Sequence, residues 1–322
     1  MLVTLGDVYF FFACLYIPPL GILYVVEAYI ILKDRKKYAT SFYTLFVIGG
    51  VNDFFMFQAI NFYRFGFTPF LNEYLYYYGD NLITRILYTA TYFFMTNQEV
   101  MSIAIALNRM TSIVFFMRHE EIWSYLIYVV VALLIITPSS YCWILVQCPV
   151  VFSYTTEGGF PFYLFTMDTS AWPNFNRNST ILAVEVVGPC ISAIIYCITA
   201  YFLRKRRHAV TRVERRLFHF GILLVLVNMP VTILEVLYVF NRTPEVGFWG
   251  AEQIPWMGDL KTFAPPVLLL WFTGDMRRRV RALLRCGSLK MPMKGTTNAS
   301  SISGQGTVVT VKTATYLGSV SG

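Results

Sequence analysis

The first candidates for chemistry in this 322-residue sequence are five carboxylate side chains that lie within its long apolar stretches. They are Glu27, Asp53, Glu99, Glu185 and Glu235. A charge near the centre of a bilayer costs about 2.5–3.5 kcal/mol on insertion scales. Each acid must therefore face the protein interior, pair with a cation or take up a proton, so the acids mark where a binding site would be built.

Two of these acids predict a polar core near the membrane midplane. Counting along the helices places Asp53 and Glu99 at a depth of roughly 15–18 Å. Neighbouring side-chain amides complete the core, namely Asn52, Asn97, Gln98 and Asn228. The core would hold a water cluster, a shared proton or a cation; the alternative is a hydrogen-bonded packing contact with no ligand.

A second polar group is predicted in the outer third of the membrane. Glu185, Glu235 and Lys261 fall at similar depths, with Trp256 and loop aromatics above them. They predict a small-molecule pocket between the last three spans. The alternatives are that the acids reach headgroup water, or that they pair with Lys261 for structural reasons. A lysine in the seventh span would also suit retinal bound as a Schiff base.

The sequence argues against enzymatic, metal-binding and nucleic-acid-binding classes. His119, His208 and His219 fall near the predicted cytosolic face without cysteines or acids at ligand spacing. Neither a phosphate-binding glycine loop nor a nucleophile elbow is present. The net charge of +8 is concentrated at the ends of apolar stretches, which is a membrane pattern. We expect no cofactor and no metal.

Seven apolar stretches of spanning length give the architecture. Apolar residues make up 56% of the chain and charged residues 14%, whereas a soluble domain has roughly 25% charged residues. A spanning helix needs about 20 mainly apolar residues. The predicted spans are Val8–Leu32, Ser41–Tyr63, Ile86–Phe116, Ser124–Val146, Ser179–Leu203, Leu217–Phe240 and Ile254–Phe272. The fold class is an all-α, polytopic seven-transmembrane helix bundle.

The basic residues predict the orientation of the bundle. Of the 26 Lys and Arg residues, 21 fall in alternate segments that become cytosolic if the amino terminus is outside. Cytosolic loops carry such an excess of positive charge. The carboxyl terminus is then cytosolic, and the glycosylation sequons at Asn178 and Asn241 fall on the outer side.

Three residues are candidates for signalling at the cytosolic side. Asn108 and Arg109 close the third span, where Arg109 is either a switch residue or an arginine that snorkels to the membrane surface. Pro230 predicts a kink about which the sixth span swings.

An amphipathic helix is predicted after the last span, from Asp275 onward, lying on the inner leaflet. Cys286 at its end is a palmitoylation candidate. Residues 1–287 form the receptor domain in this interpretation, and residues 288–322 form a disordered cytosolic tail rich in Ser, Thr and Gly.

Two sequence runs resemble the nematode serpentine chemoreceptors of the gamma/V superfamily, which are seven-transmembrane G-protein-coupled receptors. The first is Leu107-Asn-Arg-Met-Thr-Ser-Ile-Val-Phe-Phe-Met-Arg-His-Glu-Glu-Ile-Trp123, and the second is Pro265-Pro-Val-Leu-Leu-Leu-Trp-Phe-Thr-Gly-Asp-Met-Arg-Arg278. The resemblance implies a chemosensory receptor in a neuron's plasma or ciliary membrane, coupled to a heterotrimeric G protein. By position, Arg109 matches the arginine of the receptor span-three motif.

The sequence departs from rhodopsin-like receptors in three places. Asn108 replaces the acidic residue before the arginine, no cysteine stands near the outer end of span three, and Pro265-Pro266 replaces Asn-Pro. A rhodopsin-style ionic lock is therefore not expected.

The function predicted from these observations is an odorant or pheromone receptor. Its ligand would bind in the outer half of the bundle and activate a heterotrimeric G protein. The alternative is a subunit of a ligand-gated channel or a transporter.

Overall fold

Seven long helices and one short helix form the bundle in the computed structural model, which describes residues 5–66, 77, 79–155, 162–205, 212–240 and 244–286. A two-stranded antiparallel hairpin stands between the fourth and fifth helices. It pairs Val150 with Met167 and Thr155 with Phe162. In chain order the elements are α1 Leu5–Lys33, α2 Ser41–Gly66, α3 Leu82–Val114, α4 His119–Gln147, β1 Val150–Thr155, β2 Phe162–Met167, α5 Arg177–Lys205, α6 Arg212–Phe240, α7 Pro244–Phe272 and α8 Gly274–Cys286.

Each predicted span coincides with one long helix. The greatest difference is in α7, which begins at Pro244, ten residues before the predicted start at Ile254. The predicted third span runs two residues beyond the end of α3 at Val114. Five of the helices in the described part of the chain, α1, α2, α4, α5 and α6, are long and apolar enough to cross a membrane. The chain is a multi-pass membrane protein; seven crossings and the orientation of the termini stay predictions.

The two remaining long helices are more polar because the bundle surrounds them. Helix α3 packs against α2, α4, α5 and α6, and 17 of its 33 residues are buried. A helix that meets other helices on most sides needs little apolar surface for lipid. Polar side chains on α3 and α7 therefore face other helices, and some of them pair there, as Glu99 does with Lys261.

The outside of the bundle is apolar. Large hydrophobic side chains are exposed on several helices, which is the surface expected toward lipid. Examples are Leu15, Phe54, Ile135, Ile194, Leu226 and Trp271.

The β-hairpin was not predicted, and a carboxylate attaches it to the bundle. Asp80, just before α3, accepts a hydrogen bond from the backbone N–H of Val150 at 2.9 Å and pairs with Arg85. The Arg85 guanidinium holds the pKa of Asp80 below its ordinary value of 3.8. This contact joins the start of α3 to β1. The end of the bundle that carries the hairpin is called the hairpin end below.

Helix α8 docks at the opposite end of the bundle, called the α8 end below. Met276 and Val280 are buried, whereas Arg278 and Leu284 are exposed. This is the amphipathic helix that the sequence predicts. Burial disfavours the charge of Asp275, but hydrogen bonds from Lys37 and Tyr38, both 2.7 Å, outweigh it and lower the pKa of Asp275. Asp275 thus ties α8 to the α1–α2 connection.

Some predicted features fall outside the described residues. The sequon residue Asn241 and the predicted tail 288–322 lie there. Asn178 lies in the first turn of α5, and Cys286 is the last residue of α8; their side chains are not described.

Candidate functional site

A buried lysine joins three helices near the middle of the bundle. The ammonium of Lys261 on α7 lies 2.5 Å from Oε1 of Glu99 on α3 and 3.4 Å from Oε2 of Glu185 on α5. The side chains of all three residues are at most 3% exposed. We call this set the ion triad. Gly188 on α5 makes the approach possible, because a Cβ there would lie 2.5 Å from Oε2 of Glu99.

The ion triad unites two groups that the sequence separates. Glu99 was assigned to the midplane core, whereas Glu185 and Lys261 were assigned to the outer third. The earlier start of α7 explains the difference, because Lys261 lies 17 residues after Pro244 and is therefore near mid-helix. The ammonium of Lys261 therefore pairs with two carboxylates, those of Glu99 and Glu185. Oε2 of Glu99 and Oε1 of Glu185 have no hydrogen-bond partner among the described residues.

Asp53 on α2 forms a second buried polar centre beside the ion triad. It accepts hydrogen bonds from the Tyr24 hydroxyl and from Nε2 of Gln98, both at 2.8 Å. The same Gln98 nitrogen lies 3.3 Å from Oγ1 of Thr262, next to Lys261. Helices α1, α2 and α3 thus meet at one carboxylate, and α7 joins them through Gln98.

Two small cavities lie on either side of these polar centres, and Gln98 and Lys261 line both. The cavity toward the α8 end has a volume of about 50 Å³ and is also lined by Asp53 and Asn228. The cavity toward the hairpin end has a volume of about 40 Å³ and is also lined by Glu235. A water molecule occupies about 30 Å³ in the liquid, so each cavity holds at most a few atoms without expanding.

The hairpin-side cavity combines polar groups with adaptable apolar walls. Its polar members are Glu235 of α6, Gln98 and Thr91 of α3, and Lys261 of α7. Its apolar members include three methionines, whose flexible thioethers fill irregular space and repack readily. These are Met56, Met95 and Met257.

Like Glu99 and Glu185, the predicted site residues Trp256, Asn52 and Pro230 line neither of the two cavities. Trp256 is 38% exposed, donates a hydrogen bond to Oε1 of Gln253 and does not line either of the two cavities. Asn52 is buried and donates from Nδ2 to the carbonyl of Phe94 at 3.2 Å. Pro230 lies inside α6.

A further buried ion pair near the hairpin end was not predicted. Arg64 on α2 and Asp259 on α7 are 2.5 Å apart, and the Tyr16 hydroxyl of α1 donates to the same carboxylate. Arg64 falls one residue beyond the predicted second span, so it was counted as a loop residue. Asp259 inside a predicted span was the available signal, because an acid at that depth needs a partner.

The α8 end holds a compact polar network around the end of α3. Nδ2 of Asn108 donates to Oγ of Ser41 at 2.7 Å, and that oxygen lies 3.1 Å from Nε2 of His119. The other His119 nitrogen lies 3.1 Å from Oγ1 of Thr111, to which Trp123 donates at 2.8 Å. Asn108 thereby holds α3 against α2 and α4, in the position where rhodopsin-like receptors carry an acid.

Arg109 is buried within this network. It is 4% exposed, its guanidinium lies 4.3 Å from the ring centroid of Phe42, and it hydrogen-bonds to Oδ1 of Asn108. Within the described part of the chain no carboxylate lies within salt-bridge distance of Arg109, and its Nε has no partner.

The described residues contain no group of three or more His, Cys, Asp or Glu side chains arranged to hold a metal ion. The two acids of the ion triad instead share one lysine.

Known proteins place this architecture in a family. The model of the Srg family of chemoreceptors matches residues 10–280. Serpentine receptor class gamma-2 of Caenorhabditis elegans is 24% identical over 281 residues, which cover 84% of this chain and 83% of that protein. Serpentine receptor class gamma-9 of the same organism is 21% identical over 272 residues, covering 82% of this chain and 79% of the relative. Class gamma-10 is 19% identical over 270 residues, covering 81% of each. These matches confirm the resemblance carried by residues 107–123 and 265–278: the chain belongs to the Srg family of chemoreceptors.

Proposed function

We propose that this serpentine chemosensory receptor binds a small odorant or pheromone in its hairpin-side cavity and activates a heterotrimeric G protein at its α8 end. The hairpin end then faces the outside of the cell, as the distribution of Lys and Arg predicts. The proposed location is the plasma membrane, including that of a sensory cilium. A receptor family is not an enzyme family, which agrees with the expected lack of catalysis.

The observation that carries the proposal is the ion triad beside the hairpin-side cavity. Lys261, Glu99 and Glu185 bring α3, α5 and α7 to one point, and Glu235 of α6 faces the adjoining cavity. A ligand at this point would contact or displace the four helices whose other ends frame the proposed signalling face. A ligand shifts a conformational equilibrium only by its differential affinity for the two states. A site contacted by several helices changes shape when those helices move, so a ligand there has different affinities for the two states.

The small volume of the cavity requires it to expand when a ligand binds. Ligand sites of drug size occupy about 300–1,000 Å³, far above the 40 Å³ of this cavity. The structure therefore corresponds to the closed state in this proposal. In this proposal the methionine side chains of the cavity rearrange and α6 bends at Pro230, so the cavity expands while α3 stays helical.

Arg109 is proposed as the residue that meets the G protein once the α8 end opens. Its side chain is almost completely buried and contacts the ring of Phe42 and the amide of Asn108. It forms no salt bridge with a carboxylate among the described residues. Release from these two contacts would present a guanidinium to carbonyl or carboxylate acceptors of the partner.

The test is expression of the full chain in cells with a calcium or cAMP readout. Arg109→Ala should abolish the response to an activating odorant at normal surface level. Arg118→Ala is the matched control, because Arg118 is an exposed arginine at the same end without a side-chain hydrogen bond to cap α4. A full response in the Arg109 variant would remove this residue from the mechanism. Ligand-gated current that persists after G proteins are inactivated would favour the channel alternative.

A further inference from the structure

We propose that the ligand of the hairpin-side cavity is a small molecule carrying a protonated amine. This inference rests on the proposed function, because it assigns the chemistry of the ligand that the proposed receptor site would accept.

The balance of charges around the cavity favours a cation. The ammonium of Lys261 is already shared between Glu99 and Glu185, and Glu235 brings a third carboxylate to the cavity wall. Within the described part of the chain, the Glu235 side chain makes no hydrogen bond and no salt bridge. Glu99, Glu185 and Glu235 thus outnumber the two cations that act on them, Lys261 and Arg177, and a positively charged ligand would restore the balance.

The hydrogen-bonding groups point to the same chemistry. Gln98 uses its Nε2 on Asp53, which leaves its buried Oε1 without a partner among the described residues. The cavity therefore presents two acceptors, the carboxylate of Glu235 and the amide oxygen of Gln98. An ammonium group has donors and no acceptor, so it complements both. A carboxylate ligand would place like charges together at Glu235, whereas the Lys261 ammonium, which also lines the cavity, is already paired with Glu99 and Glu185.

The apolar walls of the cavity determine which carbon skeleton the ligand can carry. Met56, Met95 and Met257 line the cavity, together with aliphatic side chains of α2, α6 and α7. These walls suit a short alkyl or aryl group attached to the amine. The cavity in its present volume has room for the ammonium group alone, and the methionine side chains must move to accommodate the carbon skeleton of the ligand.

The experiment compares primary amines, alcohols and carboxylic acids that share the same alkyl or arylalkyl skeletons. Two readouts are taken for each compound. The first is the melting temperature of the purified full chain in lipid nanodiscs, which rises when a ligand binds the folded state. The second is the second-messenger response of cells that express the chain. Amines should raise the melting temperature at concentrations where the matched alcohols and acids do not.

Variants then test whether Glu235 is responsible for the preference. Glu235→Gln should raise the half-maximal amine concentration about 30-fold or more, as expected when one partner of a buried charged contact is neutralised. Glu235→Asp should retain the preference for amines, which shows that the site still folds. Asp168→Asn removes the same charge from an exposed position at the hairpin end and should change nothing.

The two proposals fail in different ways. Stronger stabilisation by acids or alcohols, or the absence of stabilisation by every amine, would overturn the assignment of the ligand. An equal rise of the half-maximal amine concentration in Glu235→Gln and Asp168→Asn would also overturn it. The electrostatic potential of the protein surface would then explain the preference for amines. Stabilisation by amines of which none evokes a cellular response would support the ligand assignment and count against the receptor mechanism.

Discussion

Neutralising Lys261 should destabilise the protein more than neutralising either of its acidic partners. Lys261→Met leaves both Glu99 and Glu185 buried without a cation, and breaking a buried pair in this way costs about 3–5 kcal/mol. Glu99→Gln removes the closer contact of 2.5 Å but leaves Lys261 paired with Glu185. Glu185→Gln removes the 3.4 Å contact and leaves one base with one acid, so its cost should be the smallest.

The assay for this order is thermal unfolding of the purified chain in nanodiscs, followed by tryptophan fluorescence. At about 2 °C per kcal/mol, which is the lower end for chains of 150–250 residues, Lys261→Met should lower the melting temperature by about 6–10 °C. The triple variant with Glu99→Gln and Glu185→Gln should recover most of this loss, because no buried charge remains unpaired. Lys33→Met is the control, since Lys33 is an exposed lysine at the end of α1.

The double-mutant cycle between Lys261 and Glu99 gives the coupling directly. A melting temperature unchanged by Lys261→Met would refute the argument from burial, because an unpaired buried acid would then cost nothing. A triple variant as unstable as Lys261→Met would show that packing of the lysine chain, and not its charge, holds the helices together.

Two further predictions concern carboxylates away from the ion triad. Glu27 is fully buried and neither oxygen has a partner among the described residues, so Glu27→Met should stabilise the protein by about 1–3 kcal/mol; a lower melting temperature would show that this acid has a favourable contact. Asp80 has a lowered pKa because of Arg85, so its contribution is complete above the ordinary value of 3.8 and is lost as the pH falls through the lower, folded value. The protection of β1 amides from exchange, relative to the intrinsic rate at each pH, should therefore fall below about pH 4 in the natural chain, and Asp80→Asn should remove that pH dependence.

Helix positions followed from the sequence because lipid sets strict requirements. A span must be long and apolar, and Lys and Arg collect at its ends, so each predicted span coincides with a long helix. The amphipathic helix α8 was predictable for a similar reason, since Met276 and Val280 recur on one face between arginines. The sequence placed that face on the inner leaflet, whereas the structure buries Met276 and Val280 against the bundle. These patterns are local, and a helix displays them whatever its neighbours are.

Side-chain partners were harder to predict because depth along a helix does not fix its rotation or its exact start. Glu99 and Lys261 were placed at different depths, and the ten extra residues at the start of α7 bring them together. The pair of Arg64 and Asp259 was missed for the same reason. The hairpin after α4 depends on a contact between Asp80 and a backbone N–H 70 residues away, which no local pattern records.

Helix α3 connects the proposed ligand site to the proposed signalling residue. Glu99 and Arg109 lie ten residues apart on it, which corresponds to about 15 Å along an α-helix. A change in the pairing of Glu99 therefore needs to displace or rotate one helix to disturb the contacts of Arg109 with Phe42 and Asn108. An amine that competes with Lys261 for the carboxylates would bind the two arrangements of α3 with different affinities and would activate. An amine that contacts Glu235 and leaves the ion triad unchanged has no such difference, so it should occupy the receptor without a signal.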